Sequence, residues 1–136
     1  MIYNLTAYLD TKMPTERIYA NQRFIVSPES VIPDRNILVR ETGGPVTPWS
    51  KWVQQTAQVI IRDLDPLACR ILAESVYGYL HRKYGLILPA VTIGIKIYPA
   101  VTTAQITAIQ KPYSLGVDDE GRTEYVNNYE IYYTEV

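Results

Sequence analysis

The stretch from Asp65 to Gly85 constrains this chain more than any other. Leu67, Ala68, Ile71, Leu72, Ser75, Val76, Tyr79 and Leu80 fall at i, i+1, i+4, i+5 steps, one continuous stripe over four turns. Asp65 is placed to cap the start, Pro66 suits the first helical position, and Gly85 after Tyr84 supplies a left-handed stop. The spacing predicts a helix over 66–84. A second, shorter helix is expected over residues 1–12, where Ile2, Leu5, Tyr8 and Leu9 share a face ahead of Met13-Pro14. It is too short to stand alone and must dock on something.

What the helices would dock on is read from period-2 runs. Strands are expected at 17–26, closed by Ser27-Pro28, at 35–42, where Ile37 and Val39 alternate with Asn36 and Arg40, and at 55–62. Pro45, Pro48, Trp49, Ser50, Lys51 and Trp52 make 45–54 a loop, with the tryptophans either folded onto the core or serving as anchors for a partner. Beyond the helix, Val91, Ile93, Ile95 and Ile97 read as one strand, Thr103–Gln110 as another, and 114–122 as a polar loop. Thr123–Thr134 closes the chain with Tyr125, Tyr129, Ile131 and Tyr133 on one face. The order αβββαβββ implies a single α+β domain, residues 1–136, in which one long and one short helix pack on a mostly antiparallel sheet.

Composition narrows the function classes. At 136 residues the chain buries roughly 65–70% of its unfolded surface and needs no staple. One cysteine excludes an internal disulfide, and one cysteine with one histidine cannot close a zinc site. A formal charge of -1 leaves no basic excess for phosphates. Glu124, Glu130 and Glu135 accompany the tyrosines of the last strand, where a stacking platform for nucleic acid would carry Lys or Arg. Twelve tyrosines against one phenylalanine suit surfaces that meet other proteins. The N-terminus has no charged and apolar leader, and no run approaches the 20 or so residues that span a bilayer, so a soluble protein made in a cytoplasm is expected, with no membrane partner.

No catalytic set assembles from spacing. His81 ends the long helix beside Arg82 and Lys83, which suits a solvated residue complementing the helix dipole. Cys69 reads as a packing residue on that helix, with nothing nearby to lower its pKa. Asp118-Asp119-Glu120-Gly121 fails the calcium-loop spacing, because Gly121 comes too early and Tyr125 is no ligand. It reads as a turn with glycine at positive φ. Thr42-Gly43-Gly44-Pro45 lacks the Lys and Ser/Thr of a phosphate loop. No cofactor, metal or catalytic residue is assigned.

Three segments carry a resemblance. Ile37-Leu38-Val39-Arg40-Glu41-Thr42-Gly43-Gly44, then Ile60-Ile61-Arg62-Asp63-Leu64-Asp65 running into Ala68, Ala73 and Tyr77, then Gln110 through Arg122 followed by Tyr125-Val126-Asn127-Asn128-Tyr129, occur in that order between residues 37 and 133. Together they resemble the tail terminator or minor capsid (neck) proteins of long-tailed bacteriophages. The Trp49/Trp52 loop and the stretch from Ile87 to Val101 match nothing in that pattern.

The resemblance implies a structural virion protein without catalytic activity. Such proteins form a ring, usually a hexamer, at the head-proximal end of the tail tube. Its partners would be other copies of itself, the tail tube protein and a neck or head-completion protein, with DNA only passing through the lumen. A head-completion ring of the same phages is the near alternative. From other classes come a small soluble hydrolase using Asp118 or Glu120 with His81, and a peptide-binding adaptor using Trp49 and Trp52. Arg40, Glu41, Gly43 and Gly44 with Leu115, Gly116, Asp118 and Arg122 are the expected subunit contacts, joined by Trp49 and Trp52. Their charges are of both signs, their glycines permit close approach, and 114–122 is long for a hairpin connection.

Overall fold

A computed structural model describes residues 1–23, 31–45 and 51–134. Two helices cover one face of a mostly antiparallel sheet, an α+β arrangement. Helix α1 spans Ile2–Lys12 and α2 spans Pro66–Leu80. The main sheet contains β1 (Ile18–Ala20), β2 (Asn36–Gly43), β3 (Trp52–Asp63), β4 (Lys83–Leu88), β7 (Val101–Ala108), β8 (Tyr113–Val117) and β9 (Thr123–Thr134). Between β4 and β7, the short strands β5 (Val91–Ile93) and β6 (Lys96–Tyr98) form a separate two-stranded hairpin.

The long strand β9 organises the sheet. It pairs with β3 along all twelve residues, from Thr123 opposite Asp63 to Thr134 opposite Trp52. Its other edge is divided. β8 occupies Thr123–Val126, and β7 occupies Tyr129–Tyr132. The order is β1-β2-β3-β9-β7-β4, with one parallel pair, β1 with β2. Alternation decides which side chains meet the helices. Ile37, Val39, Val59, Ile61, Tyr129 and Ile131 pack against Leu5 and Leu9 of α1 and Leu72 and Val76 of α2. On the opposite face Tyr19, Leu38, Ile60 and Val126 form a smaller cluster. Ile2, Leu5 and Leu9 are buried, and covering each contributes about 1.5–3 kcal/mol, which explains why so short a helix forms.

Several sequence expectations need correction. The first strand does not run over 17–26: it ends at Ala20, because Asn21 takes φ +65°, a left-handed conformation that asparagine tolerates. Residues 24–26 lie outside the described residues. The 45–54 loop is shorter than its proline content implied. Trp52 to Gln54 already pair with Tyr132 to Thr134, while Trp49 lies outside the described residues. At the other bank of that turn Gly44 has a packing reason, since a Cβ there would collide with the carbonyl oxygen of Gln54.

The long helix stops at Leu80 rather than 84. Asp65 accepts hydrogen bonds from the N–H groups of Leu67 and Ala68, with Pro66 behind it, so the start is as expected. At the end His81 is extended, Arg82 takes φ +55°, and Lys83–Leu88 pairs with β7. Backbone pairing to the sheet edge outcompetes another helical turn. The buried row is also narrower than the stripe. Cys69, Leu72, Ala73, Val76 and Leu80 face the sheet, whereas Leu67 and Ile71 remain 65% and 54% exposed.

The expected strand through Val91–Ile97 is two strands. Gly94-Ile95 turns the chain back, with Gly94 at φ +62° in the first central position, as in a two-residue type II′ turn. The expected 114–122 loop is largely strand β8. Only 118–122 connects it to β9, an ordinary hairpin length, so the argument from a long loop loses its premise.

Candidate functional site

The expected contact residues separate into two groups that the fold holds apart. Arg40 lies opposite Gln58, which lies opposite Asn128, whereas Arg122 immediately precedes β9 at Thr123. From Asn128 back to Thr123 is five residues of strand, about 17 Å. One group therefore sits at the β2–β3 turn and the other at the opposite end of the sheet.

At the first group, Glu41 accepts hydrogen bonds from Asn21 Nδ2 at 3.1 Å and Gln55 Nε2 at 3.3 Å. Arg40 is exposed and makes no ion pair among the described residues. Gly43 sits at a register shift between β2 and β3. Trp52 opens β3 and is 45% exposed.

At the second group, the Asp118 carboxylate accepts from the N–H groups of Glu120 and Arg122 at 2.9 Å each, and from Arg122 Nε at 2.8 Å. The backbone N–H of Arg122, first among those bonds, holds the Asp118 carboxyl below the usual carboxylate range, and the side-chain bond to Asp118 holds the Arg122 guanidinium above its own. Arg122 also meets Glu120 at 3.2 Å and Asp34 at 3.5 Å. The turn closes with Gly121 at φ +81°, as its sequence implies. Asp118, Glu120 and Arg122 are engaged within the chain, Asp119 is exposed, and Leu115 and Gly116 of this group are exposed and uncharged.

His81 and Asp118 do not converge. The Nδ1 of His81 accepts the N–H of Ala108 at 3.2 Å, and its ring stacks on Tyr77 at 4.7 Å. It is half-buried and bonded, not solvated as its position beside two cations suggested. Ala108 lies opposite Tyr129, six residues or about 20 Å along β9 from Thr123, where Asp118's neighbour Val117 pairs. Cys69 is buried, its Sγ directed at the carbonyl oxygens of Ile61 and Thr123, and burial pushes its thiol up to about 11. It is a packing residue. Among the described residues no three potential metal ligands come together, and no helix is long and apolar enough to cross a membrane.

The surface features that sequence reasoning missed are apolar. Of the fourteen large hydrophobic side chains left exposed among the described residues, five lie on β4 and the β5–β6 hairpin: Tyr84, Ile87, Ile93, Ile95 and Ile97. Seven more lie on α2, β8 and the segments leading into them, among them Leu67, Ile71, Tyr113, Leu115 and Val117. Between α2 and β8 runs a groove of about 480 Å³, lined by Arg70, Glu74 and Tyr77 on one side and Lys111–Ser114 with Tyr125 on the other. The hairpin was legible in part: a glycine midway through an alternating run marks a turn.

The hairpin is held from its base. Asn4 of α1, 1% exposed, directs its Nδ2 at the carbonyl oxygens of Pro89, Tyr98 and Pro99 at 2.8, 3.3 and 3.0 Å. Tyr3 packs on Tyr98 with ring centres 4.9 Å apart. A two-stranded hairpin is marginal in water alone, so this buried amide sets where it points. Against known proteins, no family model matches the chain and no curated protein is similar to it.

Proposed function

We propose that this chain is a structural virion protein, a tail terminator that forms a ring at the head-proximal end of a phage tail tube and joins it to the neck. The resemblance of the 37–133 segments supplies the identity of the assembly. The observation that carries the reading to self-assembly is the division of the exposed apolar residues between two surfaces, the β4–hairpin edge and the α2–β8 side. A two-fold dimer needs one self-complementary patch, whereas a ring needs two different ones.

Magnitudes decide which residues would set the affinity. Covering an exposed isoleucine contributes about 1.5–3 kcal/mol, and an exposed ion pair about 0–1 kcal/mol. The apolar surfaces therefore dominate, and Arg40, Glu41, Asp118 and Arg122 contribute register and specificity. In this reading the other partners are the tail tube protein and a neck protein, with DNA crossing the lumen and the virion tail or neck as the site of residence.

The test is reconstitution. Purified protein added to polymerising tail tubes should form rings at one tube end, seen by electron microscopy, and cap tube length. Protein that stays monomeric at high concentration and leaves tube length unchanged overturns the reading. Rings that seat on the portal end of heads and ignore tubes would instead identify a head-completion protein.

A further inference from the structure

We propose that His81 is a proton-operated latch between the end of α2 and strand β7. The neutral ring closes the sheet at Ala108, and a proton on its Nδ1 releases that strand end from the helix. The inference is independent of what the chain assembles with.

The latch stands where a strand partner is missing. β4 begins with Lys83 opposite Ile106, and two residues further along the same register places His81 opposite Ala108. No strand continues there: His81 is the C-cap of α2, Arg82 takes φ +55°, and the chain joins the ladder only at Lys83. Successive N–H groups of a strand point to opposite sides. That of Ile109 goes to the carbonyl oxygen of Asn128 on β9, so that of Ala108 points to the side β4 has left. The imidazole fills the position, with Nδ1 accepting the Ala108 N–H at 3.2 Å. A side chain thus replaces the carbonyl that a longer β4 would have supplied.

The bond exists in one protonation state. A neutral imidazole accepts through one nitrogen and donates through the other, whereas the charged ring donates through both. Accepting at Nδ1 leaves the single proton on Nε2. A proton on Nδ1 sets N–H against N–H, and the ring must leave. The groups around it offer that proton no carboxylate. On α2 the ring faces Tyr77, stacked at 4.7 Å, with Arg82 and Lys83 following in the chain. Residues 75–117, which include the last turn of α2, β4 and β7, contain no Asp or Glu. On β9 the residue opposite Ala108 is Tyr129, while Glu130, opposite Thr107, lies on the other face. Lys111 shares the groove with Tyr77, and Glu74, two turns back on α2, is paired with Arg70.

Release acts on a connection between two surfaces. Ala108 is the last residue of β7, and 109–112 carries the chain across to β8, with Lys111 and Pro112 lining the groove that Tyr77 also lines. Two bonds hold the head of this crossover, Ala108 to His81 and Ile109 to Asn128. With the first gone, the crossover stays tied to β9 but is free of α2. Histidine is the side chain whose charge changes across the neutral and mildly acid range, and His81 is the only one in the chain.

Nitrogen-15 NMR of the intact chain tests the latch. With the ring neutral, its proton should sit on Nε2 and the Ala108 amide should exchange slowly. Acidification, followed on the ring nitrogens themselves, should lower the Ala108 protection factor at least about fivefold as the ring becomes charged, the contribution of one hydrogen bond. The factor is corrected for the intrinsic effect of pH on exchange. Val59 in the core should hold, and the signals of Tyr77 and Lys111 should move with the same midpoint. His81→Gln and His81→Leu remove the titration, so Ala108 should ignore the same pH change in both. A neutral ring protonated on Nδ1 overturns the proposal, as does an Ala108 amide equally protected in both charge states. A chain that unfolds before the ring takes up a proton overturns it too. So does a full response in His81→Leu, which would assign the effect to other groups. Should His81→Leu not fold, the wild-type titration decides alone.

Discussion

The hairpin Val91–Tyr98 and the turn 118–122 are both short connections on the surface, and they are stabilised in opposite ways. The turn satisfies itself: Asp118 binds two backbone N–H groups and the Arg122 guanidinium, and Arg122 reaches Glu120 and Asp34. The hairpin is held at its root, by Asn4 and by Tyr3 packed on Tyr98, and leaves Ile95 and Ile97 largely to solvent. A surface segment whose paired charges bind one another has a structural explanation already. One that exposes apolar side chains on a firmly anchored base has no such internal explanation.

Removing the anchor should break this contrast most. Asn4→Ala leaves carbonyl oxygens of Pro89, Tyr98 and Pro99 without their buried donor, a cost on the order of 3 kcal/mol by denaturant unfolding. Amide exchange should quicken at Thr92–Ile97 and remain unchanged at Gly121 and Arg122. Uniform quickening along the chain would show that Asn4 supports the whole core and not the hairpin in particular.

A smaller effect is expected at the tip. Gly94→Ala meets no neighbouring atom within 4 Å, so its cost is the left-handed backbone alone, about 1 kcal/mol. Because that strain is local, it should open the hairpin by exchange while the global unfolding midpoint moves little. An unchanged hairpin would mean that the turn re-forms in another conformation.

The turn should respond to pH, by the smallest amount. Asp118 titrates below its ordinary value in the folded chain, so its contribution is present above the unfolded pKa of about 3.9 and is lost as pH falls through the folded value. Amide signals of Glu120 and Arg122 should hold from neutrality to about pH 4 and shift only below it. A shift that is complete above pH 5 would contradict the bonding described for Asp118.

Some of the fold and rather less of the exposed apolar surface were legible in the residues. The Asp65-Pro66 start, the Leu5–Leu9 face of α1 and the β9 alternation were readable because each depends on neighbours within a few positions. The 118–121 turn was readable for the same reason, since Asp118 and Gly121 carry its chemistry themselves. The contact set was chosen from charges and glycines, and the fold engages several of them internally: Arg122 with three carboxylates, Glu41 with Asn21 and Gln55, Gly44 against Gln54. The isoleucines of the hairpin were visible as residues, yet alternation alone assigned them to one continuous strand.

By itself the sequence determined the α+β class, the helix that begins at Asp65, the strands around Ile37, Val59 and Tyr129, and the absence of carboxylates over 75–117. Tertiary structure decided where α2 ends, which row of its stripe is buried, and that Val91–Tyr98 stands off the sheet. Periodicity says which side chains share a face, but α2 has a wider apolar stripe than the sheet beneath it can cover. The row that stays exposed is set by where β3, β7 and β9 lie, and the helix ends where the backbone of Lys83–Leu88 finds hydrogen bonds on β7. Those are contacts between residues distant in the chain, and local pattern carries no record of them.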